Sequence, residues 1–334
     1  MILTLNTDFE GYTPMELLSA GGSYREVYHA KDCYEQDVAL VVYDLDAMPD
    51  AFVDKKVPEF EIVPQLSNEM FLKCIEQGKC YNGNIAVSWM AKKYAGHNTL
   101  RNYIESNSVR DERDMLSHFY KLLVAVCEFS WRMNGSCHHN ISIDNIIVSN
   151  DDKGGVVWYL EGLNCVSMPS KGRPKFDTSM VDRAFHAPET IIGTYNSRTD
   201  IFSLGIVLAY LLQGKHPWES CIYDGIVENP AKWVRAVRVT PPVLEVPEPL
   251  KNIVAKAIAV KPSMRYKSVV DFADDIAKYL GISRANGIER FEESPSKHVV
   301  KPSEDELSED TLSDENTQHL LPQPKCAVRI ERVV

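Results

Sequence analysis

Apolar and polar residues follow two different periods along this chain. Val38-Ala39-Leu40-Val41-Val42-Tyr43 is an apolar, β-branched run that predicts a strand, within a strand-rich first ninety residues. From Thr99 the period lengthens. Thr99-Leu100-Arg101-Asn102-Tyr103-Ile104 predicts a short helix, and Leu116, Phe119, Leu122, Leu123 and Val126 recur at helical spacing, predicting a long helix with a buried stripe. Val156-Val157-Trp158-Tyr159-Leu160 returns to a strand-like run. Val269, Val270, Phe272, Ala273, Ile276, Ala277 and Leu280 predict a last amphipathic helix, with Gly281 as its C-cap.

Beyond residue 285 the pattern stops, and Ser303-Glu304-Asp305-Glu306 and Ser308-Glu309-Asp310 begin a stretch too acidic to bury a core. Residues 285–334 are therefore expected to be a disordered acidic tail. Its closing Cys326–Val334 stretch alternates apolar and polar residues, a pattern that could add a strand to a partner's sheet.

Composition narrows the function classes. A chain of 334 residues with 44% hydrophobic content can bury a substantial core. A net charge of -11 argues against nucleic-acid binding, which calls for a basic face. The eight cysteines include no Cys-x-x-Cys, and the first residues lack the blocks of a signal peptide. No apolar run reaches the eighteen or so residues of a membrane span. These features lead us to expect a reduced, cytoplasmic chain without membrane insertion.

Several motifs carry more specific information. Cys137-His138-His139-Asn140-Ile141-Ser142-Ile143-Asp144-Asn145, Ala187-Pro188-Glu189, the run Asp200–Leu208, Gly214-Lys215-His216-Pro217-Trp218 and Arg265 occur in that order. Together they resemble the C-terminal motifs of the protein kinase superfamily, of the serine/threonine type. The resemblance covers about residues 15–282 and implies an α+β, bilobal fold: a small β-rich N-lobe over 1–95 and a larger helical C-lobe over 96–284. It further implies a buried ion pair between Glu189 and Arg265, a structural anchor at His138, a buried helix from Asp200, and a hinge at Tyr94-Ala95-Gly96.

The chemistry of that family is missing at several positions. Asn140 stands where a kinase carries its catalytic aspartate, and a carboxamide cannot take the substrate proton near neutral pH. Asn145 matches the metal-holding asparagine, but Ser142 stands where a lysine is common. The glycine-rich loop aligns with Ala20–Val27, of whose three glycine positions only Gly22 is kept and Arg25 occupies the third. Val41 replaces the strand lysine. Glu69 is the candidate for that lysine's acidic partner. Leu160-Glu161-Gly162 aligns with Asp-Phe-Gly, so Leu160 stands at the magnesium aspartate and only Gly162 is retained. Leucine cannot ligate magnesium. Strand alternation is expected to turn Glu161 away from the site.

With lysine, base and metal carboxylate all absent, the resemblance implies a pseudokinase acting as a protein-binding or regulatory scaffold. No cofactor is required on this reading. ATP binding stays open, magnesium is not expected, no metal site is assigned, and the expected partner is another protein. The alternative is an atypical ATP-dependent serine/threonine kinase in which Arg25 replaces the strand lysine, as the with-no-lysine kinases move theirs to this loop. Otherwise Arg25 is expected to point to solvent. His139 replaces the arginine that would receive a phosphate on Ser167, Ser170, Thr178 or Ser179, so ordinary activation-loop switching is not expected.

Overall fold

Strand-forming residues in the first third and helix-forming residues in the rest build two lobes. The structure is a computed structural model and describes residues 1–49, 57–106, 111–133, 135–166, 181–192, 196, 198–285 and 288–291. The N-lobe is a five-stranded antiparallel sheet in the order β1-β2-β3-β5-β4, made of β1 (Thr13–Gly21), β2 (Arg25–Lys31), β3 (Asp37–Asp44), β4 (Cys74–Asn82) and β5 (Ile85–Lys93). β3 is central and buried from Val38 to Tyr43, which is why it reads as an unbroken apolar run.

The two faces of β3 serve different cores. Leu40 and Val42 join Tyr28, Val87 and Trp89 on the outer face, under Ile2, Leu3, Phe9 and Tyr12. Val41 and Tyr43 join Tyr24 and Met90 in the large core on the other face. Gly21 pairs with Arg25 across the β1-β2 hairpin, so its loop is only Gly22, Ser23 and Tyr24. Gly22 adopts φ +62° there, a left-handed turn that a residue without Cβ makes without strain. Between β3 and β4 lies α1 (Pro58–Ile62), with a further helical turn over Val63–Gln65.

The C-lobe is helical. α2 (Leu100–Ser106) is followed by α3 (Glu112–Arg132), whose Asp111 caps it by accepting the Asp114 N–H at 2.7 Å. A short hairpin of β6 (Ile146–Asn150) and β7 (Val156–Leu160) comes next, then α4 (Thr199–Gln213), α5 (Glu219–Tyr223), α6 (Pro230–Val239), α7 (Leu250–Ala257) and α8 (Val269–Leu280). α3 packs along α8, which opens with a capping box between Ser268 and Asp271 and ends at Gly281 with φ +64°.

α4 is apolar nearly all round because it lies inside the lobe. A Cβ on its Gly205 would stand 2.7 Å from the Ala257 Cβ on α7, so this position admits only glycine at that helix separation. The packed body also runs past residue 284, the C-lobe end that the sequence pattern predicts. Ile288 is 1% exposed, and Phe291 meets Trp131 of α3 at 5.7 Å between ring centroids. The acidic stretch from 292 onward lies outside the described residues. Among the described residues no helix is long and apolar enough to cross a membrane.

Candidate functional site between the lobes

The inner face of the N-lobe sheet presents three cross-strand rows. Arg25 of β2 lies opposite Tyr43 of β3; in the next row Val41 of β3 lies between Val27 and Met90, and in the third Ala39 lies between His29 and Lys92. Val41 itself is apolar and fully buried, but a cation stands in the row on each side of it. Both reach Glu59 of α1, which is fully buried. Arg25 Nη2 lies 3.2 Å from Glu59 Oε2, and Lys92 Nζ lies 3.4 Å from Glu59 Oε1. The Tyr43 hydroxyl accepts from Arg25 Nε at 2.9 Å and donates to Glu59 Oε2 at 3.0 Å.

Electrostatics follow from that arrangement. Burial pushes the Glu59 carboxyl up, but Arg25, Lys92 and the Tyr43 hydroxyl outweigh it and bring it down to about 2. Burial pulls the Lys92 ammonium down, but Glu161 and Glu59 outweigh it and hold Lys92 above the ordinary lysine value. Lys92 Nζ also lies 2.5 Å from Glu161 Oε2. With two cations and two carboxylates, the cluster is neutral.

On the C-lobe side, Asp200 of α4 accepts the backbone N–H groups of His138 at 2.7 Å and His139 at 3.0 Å. That carboxylate holds the 138–145 loop in a tight path in which His139 takes φ +63°. The Asn140 N–H donates to His138 Nδ1 at 3.3 Å, so this nitrogen is the unprotonated one. Asn145 Nδ2 donates to the Asn140 carbonyl at 2.8 Å. Gly162 has φ +87°, and a Cβ there would stand 2.9 Å from Asn145 Cγ and 3.1 Å from Asn140 Nδ2. A side chain at 162 would therefore push the two asparagines apart. Leu160 is 1% exposed, and its N–H donates to the Met70 carbonyl of the N-lobe at 2.7 Å.

Deeper in the C-lobe, Arg265 Nη1 and Nη2 donate to the two Glu189 oxygens at 2.7 and 2.8 Å, in a buried bidentate pair. Arg265 also donates to the carbonyls of Ala259, Arg198 and Val260. Thr199 Oγ1 donates to Glu189 at 3.2 Å.

These positions can be placed against known proteins. The protein kinase domain family matches residues 18–276, most of the chain. The chain belongs to the protein kinase superfamily. It is 24% identical over 271 residues to the serine/threonine-protein kinase PrkC of Bacillus subtilis, covering 80% of this chain and 40% of that protein. It is 25% identical over 273 residues to the serine/threonine-protein kinase PknB of Mycolicibacterium smegmatis, covering 79% and 42%. To the serine/threonine-protein kinase CHK1 of Saccharomyces cerevisiae it is 29% identical over 142 residues, covering 39% and 25%. The chain thus spans about two-fifths of the length of the bacterial kinases it matches.

Set in the kinase frame, three sequence expectations need correction. Glu69 is not the acid that meets the strand cation. It lies exposed in a turn, because Ser67 and Asn68 beside it are tied to Glu128 of α3 at 2.7 and 3.4 Å, and Asn68 Oδ1 accepts the Met70 N–H. Glu59 takes that role. Arg25 does not point to solvent; it is 8% exposed, and its hydrogen bonds to Tyr43 and Glu59 turn it inward. Glu161 does not turn away either. The β6-β7 ladder ends with the Ile146-Leu160 pair, so alternation no longer governs the next residue.

Lys92 was missed by sequence reasoning. It reads as one of a Lys92-Lys93 pair at a strand end, and the signal that could have flagged it is the strand phase: Lys92 shares the inward face with Met90. The activation-segment residues Ser167, Ser170, Thr178 and Ser179 lie outside the described residues.

The kinase cofactor pair can be tested against these residues. The β1-β2 loop folds its own Tyr24 ring inward, 3% exposed and in the same core as Val41, under the turn that would cradle phosphates. Magnesium demands oxygen ligands. Buried Leu160 offers none, and the nearby Glu161 oxygen is engaged by Lys92. The residues do not fit a nucleotide-bound magnesium.

The C-lobe loops also make a prediction about pH. Burial pushes the imidazole of His138 down to about 3 and those of His186 and His216 down to about 4, and His139 well below its usual value. Burial pushes the Asp182 and Asp200 carboxyls up to about 6. Each lowered histidine contributes stability that is present above its unfolded value and lost as pH falls. The two raised carboxyls act in the opposite sense below about pH 6. Burial also lowers His118 of α3, so with five histidines against two carboxyls urea unfolding should show a plateau above pH 7 and a loss of roughly 2–3 kcal/mol per pH unit between pH 6 and 4.5.

Proposed function

We propose that this chain is a kinase-fold domain that does not transfer phosphate and acts as a protein-binding or regulatory scaffold. The observation that carries this reading is the buried Leu160 at the metal position, beside a Glu161 carboxylate neutralised by Lys92 rather than left for a metal. Asn140 adds to it. A carboxamide supplies no general base, a loss typically worth 10²–10⁴-fold, and the metal supports the electrostatic stabilisation on which phosphoryl transfer depends. The retained C-lobe elements, with the Asp200 clamp and the Glu189-Arg265 pair, serve the fold and leave its surface available to another protein.

A second reading is favoured by one contact. Arg25 meets the α1 acid from β2, one row away from Val41, so a cation does pair with the acid that a strand lysine would meet, as an atypical ATP-dependent serine/threonine kinase would need. Incubation of the full chain with γ-labelled ATP and magnesium or manganese separates the two. The expected result is no phosphate on the chain or on a generic acceptor protein above a heat-denatured control. Incorporation that is abolished by Arg25→Met would overturn the scaffold reading in favour of the kinase.

A further inference from the structure

We propose that Lys92 is the resident cation of the interlobe cleft, and that it latches the two lobes together in place of a metal ion. The inference goes beyond the absence of catalysis, because it states what closes this domain. Lys92 is 2% exposed, at the end of β5, one residue short of the strand's last residue before the hinge. Its ammonium touches two carboxylates from different lobes, Glu59 at 3.4 Å in the N-lobe and Glu161 at 2.5 Å in the segment that follows β7.

A buried carboxylate needs a counter-charge. Glu59 receives two, and through Lys92 it is joined to a second carboxylate on the C-lobe side. The linkage runs without a break from Arg25 and Tyr43 on the sheet, through Glu59 and Lys92, to Glu161. The Glu161 N–H donates to the Asn145 carbonyl at 2.8 Å, so the carboxylate that Lys92 grips is itself fixed to the catalytic-loop segment. A divalent cation that neutralised Glu161 would stand at the ammonium's place and be repelled by it. Closure is thus built from the chain's own charges and needs neither metal nor nucleotide.

The test is a double-mutant cycle on the full chain, read by thermal unfolding, combined with metal titration. Lys92→Met, Glu161→Gln and the double variant are compared with the parent. Each single variant should melt several degrees lower, and the double variant should melt well above the sum of the two losses, because the second substitution removes a partner already lost. The parent's Tm should not change with millimolar MgCl₂ or MnCl₂ when NaCl is adjusted to hold ionic strength. Additive losses in the cycle would overturn the latch. So would a saturable rise in the parent's Tm with Mn²⁺ that Glu161→Gln abolishes. Glu161 is part-exposed and Glu59 keeps both its cations in Glu161→Gln, so this variant remains informative if Lys92→Met fails to fold. The phosphotransfer assay reports on the scaffold reading separately, since a latch can fail in an inactive chain and hold in an active one.

Discussion

Glu59→Gln is expected to destabilise the folded chain by about 3–5 kcal/mol, whereas Glu69→Gln should change stability by no more than about 0.5 kcal/mol. Glu59 is fully buried and is the one carboxylate that Arg25 and Lys92 share among the described residues. Removing its charge leaves the Arg25 guanidinium buried without a counter-ion and Lys92 with Glu161 alone. Glu69 is exposed, and its loss strands nothing. The Glu59 carboxyl is held down to about 2, so its stabilising charge is present above the ordinary carboxylate range and is lost only as pH falls through about 2. The cost of Glu59→Gln should therefore be the same at pH 7 and pH 5.5. Urea-unfolding midpoints of the two variants at both pH values check this. A Glu69 effect larger than the Glu59 effect would return the acidic role to the sequence-based candidate.

Arg265→Lys is expected to cost about as much as breaking the pair outright, about 3–5 kcal/mol, despite keeping the charge. The guanidinium has five N–H donors, and all five are used: two on Glu189 and one each on the carbonyls of Ala259, Arg198 and Val260. An ammonium offers three. A lysine that reached Glu189 would leave at least two acceptors in this buried site without a donor. Glu189→Gln should fall in the same range, because it leaves the Arg265 charge unpaired. Chemical unfolding of both variants, followed by tryptophan fluorescence, gives the comparison, since Trp218 and Trp233 are buried in the same lobe. A lysine variant as stable as the parent would show that charge alone, and not the fork geometry, holds this corner.

The C-lobe was legible because its motifs are local and strongly patterned. The α4 run from Asp200, the Ala187-Pro188-Glu189 segment and Arg265 each keep the residue that their packing demands, and the stripe along α3 and the ending of α8 at Gly281 follow from helical period and capping. Leu160 and Asn140 could likewise be read as losses, since a leucine cannot bind a metal and a carboxamide cannot act as a base in any environment. The N-lobe resisted for a physical reason. Its site is assembled by cross-strand neighbours, and a position-by-position comparison that finds Val41 at the lysine's place cannot see that Arg25 and Lys92 stand one row to either side of it. The acid is not Glu69, as the sequence suggests, because the ties from Ser67 and Asn68 to Glu128 make that stretch a turn and leave the work to Glu59 on the short α1.

The amino-acid sequence by itself determined the superfamily, the two-lobed architecture, the periods of its principal elements and the chemical groups that are missing, because these depend on residue type and on contacts close in the chain. Only the tertiary structure decided where the remaining charges go. Glu59, Lys92 and Glu161 are separated by 33 and 69 residues along the chain, and whether a buried ion is compensated depends on distances of a few ångströms in a low-dielectric interior, which no local pattern encodes.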